Sequence, residues 1–237
     1  MTITYIRSFI SGIAHFYKMK CILDPTKAPP VKQILKAYSK LPTTCNPRLP
    51  ITKNILKQLL EYVANIYRDP FYQSAIYIVY SLMYKMALRI SEICDYSSKF
   101  RHAITFDSCH LNSATKTFSV TLKTYKHSEQ STSYLLKCSP SLYFFLSEYL
   151  KFRGLRPGPL ICHRNGKPFF RKFVQFHLKR DLRCIGYNDK DFNTHSLRAG
   201  KATDLAMNGC SETQISVLGR WKTNAFKAYI KPQIIQA

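Results

Sequence analysis

Between residues 104 and 137 the chain leaves a helical pattern that runs through most of its length. The segments TFSVTLK (117–123) and STSYLLK (131–137) are rich in β-branched and aromatic residues, and the seven residues between them are polar. ITFDSCH, near 104–110, supplies a third candidate strand. Together they predict one small antiparallel sheet.

Helical periodicity surrounds that sheet. In residues 3–18, Ile6, Phe9, Ile10, Ile13 and Phe16 fall on one face. A loop with Asp24-Pro25 and Pro29-Pro30 follows, then a short helix near 31–39. LPTTCNPRLP (41–50) carries three prolines and reads as a linker. Thr52 is placed to cap a helix over 53–67, and a more apolar helix over 70–87 leads into ALRISEI. Beyond Pro140 helices are expected at 141–152, 169–184, 195–208, 212–218 and 223–230. The expected fold is mainly α with a small antiparallel β-sheet, an α+β chain. Its parts are a helical segment over 1–40, a linker over 41–51 and a larger domain over 52–237.

Charge narrows the partners. Of the 237 residues, 36 are Lys or Arg and 13 Asp or Glu, a net +23. A surplus of that size repels itself in the compact state and calls for an anionic partner, nucleic acid first and an anionic membrane surface second. Residues 1–50 carry eight basic side chains and one acidic, and residues 151–200 carry twelve and three, so each block is expected to face a polyanion. The longest apolar stretches, such as 75–83, are too short to span a bilayer. The opening MTITYIRSFISGIAHFYKMK has Arg7 in its middle and no small-residue cleavage site, so it reads as an amphipathic helix and not a secretory leader. The eight cysteines form no CxxC pair and read as thiols of a reducing compartment.

Chemistry gathers near the C-terminus, in THSLRAGKATDLAMNGCSETQISVLGRWKTNAFKAYIKP (194–232). His195 and Arg198 are three apart, on one face of a helix that Asn193 or Thr194 would cap. Upstream, ALRISE sets Arg89 and Glu92 at the same spacing, and Tyr229 follows Arg198 by 31 residues. The order Arg89, a lysine on the hairpin, His195-x-x-Arg198 and then Tyr229 resembles the catalytic domain of the tyrosine recombinases, the phage-integrase family. The wording HSLRAG and LGRWKTNAFKAYI is most similar to recombinases of DIRS-type and Crypton-type mobile elements.

The resemblance implies cleavage and rejoining of double-stranded DNA, with no metal, no cofactor and no small-molecule substrate. Arg89 and Arg198 would clamp the non-bridging oxygens of a phosphodiester, since guanidinium groups offer paired donors and do not deprotonate. Tyr229 would be the nucleophile and His195 its general base or hydrogen-bond partner. The lysine that protonates the departing 5′ oxygen would be Lys126, with Lys123 as the alternative. Glu92 would steady the arrangement. The family carries His or Trp nine residues before the tyrosine. Here Arg220 has that spacing and Trp221 is eight away, so Trp221 takes the supporting role with Arg220 in reserve. The N-terminal segment is shorter than the family's multi-helix core-binding domain, and eight residues follow Tyr229. Two other readings stay open: a catalytically incompetent DNA-binding remnant, and topoisomerase IB-like relaxation. Protomers assembled on paired sites are implied, in the nucleus of a eukaryote or the cytoplasm otherwise.

Overall fold

The computed structural model describes residues 3–40, 48–94, 103–122, 131–221 and 223–230. The chain divides into two compact units, 1–47 and 48–237.

The first unit holds α1 (Ile3–Met19) and α2 (Pro29–Lys40). Asp24 accepts from the Thr26 amide at 2.9 Å and caps a 3-10 turn between them. α2 starts two residues before its predicted start, because proline suits a first helical turn. No described residue of this unit is fully buried, and Phe9, Phe16, Met19 and Leu23 are exposed.

In the second unit come α3 (Lys53–Ile66), α4 (Pro70–Lys85), α5 (Ile90–Ile93), β1 (Cys109–Asn112), β2 (Thr117–Leu122) and β3 (Thr132–Lys137). They are followed by α6 (Pro140–Arg153), α7 (Arg171–Cys184), α8 (Thr194–Met207) and α9 (Glu212–Gly219). α4 is the axis of the core. Every residue from Ser74 to Tyr84 is buried, as α3, α6 and α8 pack around it. Its start is fixed locally, since Asp69 caps the Phe71 amide at 2.9 Å and Pro70 occupies the first turn. The sheet runs in the order β1-β2-β3, antiparallel throughout. β2 alternates, with Phe118, Val120 and Leu122 turned into the core. Among the described residues no helix is long and apolar enough to cross a membrane.

Three further expectations shift. The strand predicted near 104–110 starts at Cys109, because Ser108 bonds back to Thr105 and winds 106–108 into a 3-10 turn. The helix predicted over 223–230 is a 3-10 segment, Asn224–Ala228, anchored by buried Phe226 against Ala202 and Ile215. Residues 48–51, read as the end of the linker, are docked on the second unit. Leu49 donates to the Asp191 carbonyl at 2.8 Å, Ile51 donates to the Ser196 carbonyl at 2.9 Å, and Ile51 is fully buried. The rest of the linker, 41–47, lies outside the described residues.

Candidate active site

The site starts where α4 ends. Ala87 turns through the left-handed region (φ 46), and Arg89 then stands at the N-cap of α5 in extended backbone. The spacing of three therefore makes a helix cap as well as an ion pair. Glu92 accepts from the Arg89 amide at 2.8 Å through Oε2 and from Arg89 Nη1 at 3.0 Å through Oε1. Arg89 keeps a partly open side chain, while Glu92 is buried.

α8 brings in the second guanidinium. Asn193 caps the His195 amide at 2.8 Å, and Ser196 Oγ accepts from the Asn193 amide at 3.0 Å, which fixes the first turn. One turn on, Gly200 lies against the Ile51 backbone so closely that a Cβ there would stand 1.7 Å from the Ile51 carbonyl oxygen. Arg198, on the same turn, is buried. Its Nη1 donates to the Ala87 carbonyl at 2.5 Å and its Nη2 to the Gly219 carbonyl.

α9 closes the site. A capping box of Ser211 and Gln214 starts it, and Arg220 ends it in the left-handed region (φ 56). That turn sends Arg220 and Trp221 different ways. Arg220 runs inward, where Nη2 meets Glu92 Oε2 at 2.5 Å and the Ala87 carbonyl at 3.4 Å. Trp221 lies with its ring 4.2 Å from the Arg198 guanidinium and 5.6 Å from the Tyr229 ring. Tyr229 is half-buried and is held by its backbone, the amide donating to Phe226 at 2.8 Å and the carbonyl accepting from Thr203 Oγ1 at 3.0 Å.

Positive charge is in excess here. Arg89, Arg198 and Arg220 face Glu92, and the Ala87 and Gly219 carbonyls satisfy hydrogen bonds without neutralising charge. Burial first, then Arg89 and Arg220, presses the Arg198 guanidinium down to about 9. Burial first, then Arg171, Arg198 and Arg89, also lowers the pKa of His195, which favours the neutral imidazole. A cluster of partly desolvated cations beside a phenol and a neutral imidazole suits an anion that must be attacked. Among the described residues no three His, Cys, Asp or Glu side chains gather as metal ligands.

Of the residues singled out in the sequence, Arg89, Glu92, His195, Arg198, Arg220, Trp221 and Tyr229 come together. Lys126 and Lys123 lie outside the described residues. Three participants were missed. The carbonyls of Ala87 and Gly219 act through the main chain, which no side-chain motif announces. Arg171, at the start of α7, was counted only as part of a basic block, yet its charge acts on His195.

The fold built around these residues is that of the tyrosine recombinase catalytic domain. It is similar to XerH site-specific recombinase bound to palindromic difH substrate in a post-cleavage complex, with TM-score 0.66 and 16% identity over 94% of this chain and 60% of that one. Tn1549 transposon integrase in complex with circular intermediate DNA matches with TM-score 0.62 and 16% identity, over 98% of this chain and 76% of that one. XerA recombinase matches with TM-score 0.59 and 14% identity, over 96% and 71%. The chain thus spans about three fifths of the length of the XerH protein. No protein-family model and no characterised protein sequence matches it.

Proposed function

We propose that this chain cleaves and rejoins DNA strands through a covalent bond to Tyr229, as a tyrosine recombinase of a mobile element of the DIRS or Crypton kind. The observation that carries the reading is the convergence of three separate stretches, Arg89 before α5, His195 and Arg198 on α8, and Tyr229 after α9. Arg89 and Arg198 attract the scissile phosphate and stabilise the charge that grows on its non-bridging oxygens. The Tyr229 oxygen attacks phosphorus, a P–O bond to tyrosine forms and the bond to the 5′ oxygen breaks. Neutral His195 takes the phenolic proton, and Lys126, or Lys123 in its stead, gives a proton to the 5′ oxygen. Rejoining runs the same steps backward with the 5′ hydroxyl as nucleophile. Trp221 holds Arg198 and Tyr229 in register by packing against both. Double-stranded DNA is the partner, and protomers pair on it.

The test is Tyr229→Phe on nicked suicide substrates cut from the element's own termini. The parent chain should form a covalent protein–DNA adduct that resists denaturant, and the variant should form none while binding DNA within about twofold, because no charge is lost. Adducts on the Phe variant, or none on the parent, overturn the reading.

A further inference from the structure

Arg220 is a cation that the strand-cleavage steps above do not use. Its side chain is 2% exposed, as is that of Glu92. One nitrogen, Nη2, meets Glu92 and the Ala87 carbonyl, while Nε and Nη1 are buried with no hydrogen-bond partner among the described residues. The guanidinium lies over the Tyr134 ring at 5.2 Å. Its backbone sits in the left-handed region, which an arginine adopts at some cost. A buried, half-satisfied cation on a strained backbone is held there by something, and among the described residues its ion pair is with Glu92.

Glu92 divides its carboxylate. Oε2 serves the Arg89 amide and Arg220 Nη2, and Oε1 serves Arg89 Nη1. Because Arg220 takes part of the carboxylate's charge, Arg89 is oriented by Glu92 without being neutralised by it. The Ala87 carbonyl works in parallel, accepting from Arg198 at 2.5 Å and from Arg220 at 3.4 Å. Buried in this way, Nε and Nη1 of Arg220 are closed to an anion arriving from solvent.

We propose that Arg220 is a positioning residue: through Glu92 it keeps Arg89 aimed and charged for an incoming phosphate. The proposal rests on the reading of this site as a phosphate clamp, but its test needs no strand cleavage. The probe is orthovanadate, a phosphate mimic, bound to the DNA-free chain and followed by calorimetry. Arg220→Met, which keeps bulk and removes charge, should weaken vanadate binding about tenfold, the scale of one charge-assisted contact. Arg220→Lys should recover most of that loss, which a packing role would not predict. In the Glu92→Gln background, Arg220→Met should cost less than about twofold, since the route through the carboxylate is gone.

Equal costs in both backgrounds would show that Arg220 acts on the anion directly. No cost in either, a lysine variant as weak as the methionine one, or a parent chain that binds no vanadate also overturns the proposal. The two readings fail separately. A normal Tyr229 adduct with vanadate binding indifferent to Arg220 removes this role alone. The expected vanadate pattern without any adduct leaves the clamp standing and removes strand cleavage.

Discussion

His195 shows how a single side chain's setting fixes what it does. Burial, Arg171, Arg198 and Arg89 all disfavour the imidazolium, so the folded pKa lies below the ordinary 6.5. As pH falls, the unfolded chain takes up this proton before the folded one. The neutral ring therefore adds stability that is fully present above pH 6.5 and is lost as pH falls through the folded value. A proton NMR titration of the His195 ring in the DNA-free chain should give a midpoint below 6.5. In parallel, the stability difference between the parent and His195→Gln should shrink as pH drops from 6.5 to that midpoint and level off below it. A midpoint at or above 6.5 would mean that burial and the three arginines do not act on the ring as described. The spacing of His195 and Arg198, and their order with Arg89 and Tyr229, could be read from the sequence because those roles belong to side chains. The choice between Arg220 and Trp221 could not. Adjacent residues look equivalent until the left-handed turn at Arg220 sends one inward to Glu92 and the other under Arg198.

At the scale of elements, the site depends on how closely α8 approaches residues 49–51. Gly200 lets that happen, since an added Cβ would stand 1.7 Å from the Ile51 carbonyl oxygen and 2.5 Å from its carbon. Both are rigid backbone atoms, so α8 or the 49–51 segment must move, and the Ile51–Ser196 hydrogen bond goes with it. Gly200→Ala should lower stability by about 3 kcal/mol in urea unfolding, the upper range for overpacking. Gly12, in α1, is the control. Nothing lies within 4 Å of its added Cβ, and alanine there should be neutral or stabilising by up to about 1 kcal/mol. A Gly200→Ala protein as stable as the parent would show that the contact is not close. The same local signals explain why most helices were legible: Thr52, Asp69-Pro70, Ser139-Pro140 and Ser211 each mark a start in side-chain chemistry. The first strand slid because Ser108 competes for the backbone, and the last helix tightened because Phe226 is pulled into a small core of its own. Neither effect leaves a periodic trace.

Over the whole molecule the surplus of +23 governs how a polyanion is met. Basic side chains outnumber acidic ones eight to one over residues 1–50 and twelve to three over 151–200, so each of the two units contributes to the surplus. Neighbouring carboxylates take up only part of it. In the second block Arg164 pairs with Asp69 at 2.6 Å and Lys179 with Asp189 at 3.7 Å, both partly exposed pairs that contribute little and that salt screens. Binding of duplex DNA should then be driven by release of counterions from phosphates, and affinity should fall linearly on logarithmic axes as salt rises. About six to ten phosphate contacts would cost on the order of 10³–10⁵ in affinity between 50 and 200 mM salt. On duplexes of unrelated sequence the slope should be nearly constant, because phosphate contacts place a protein without reading bases. Fluorescence anisotropy on duplexes of several unrelated sequences, each titrated with salt, measures both quantities. A shallow slope would mean that the basic blocks face solvent and that the surplus serves something other than DNA.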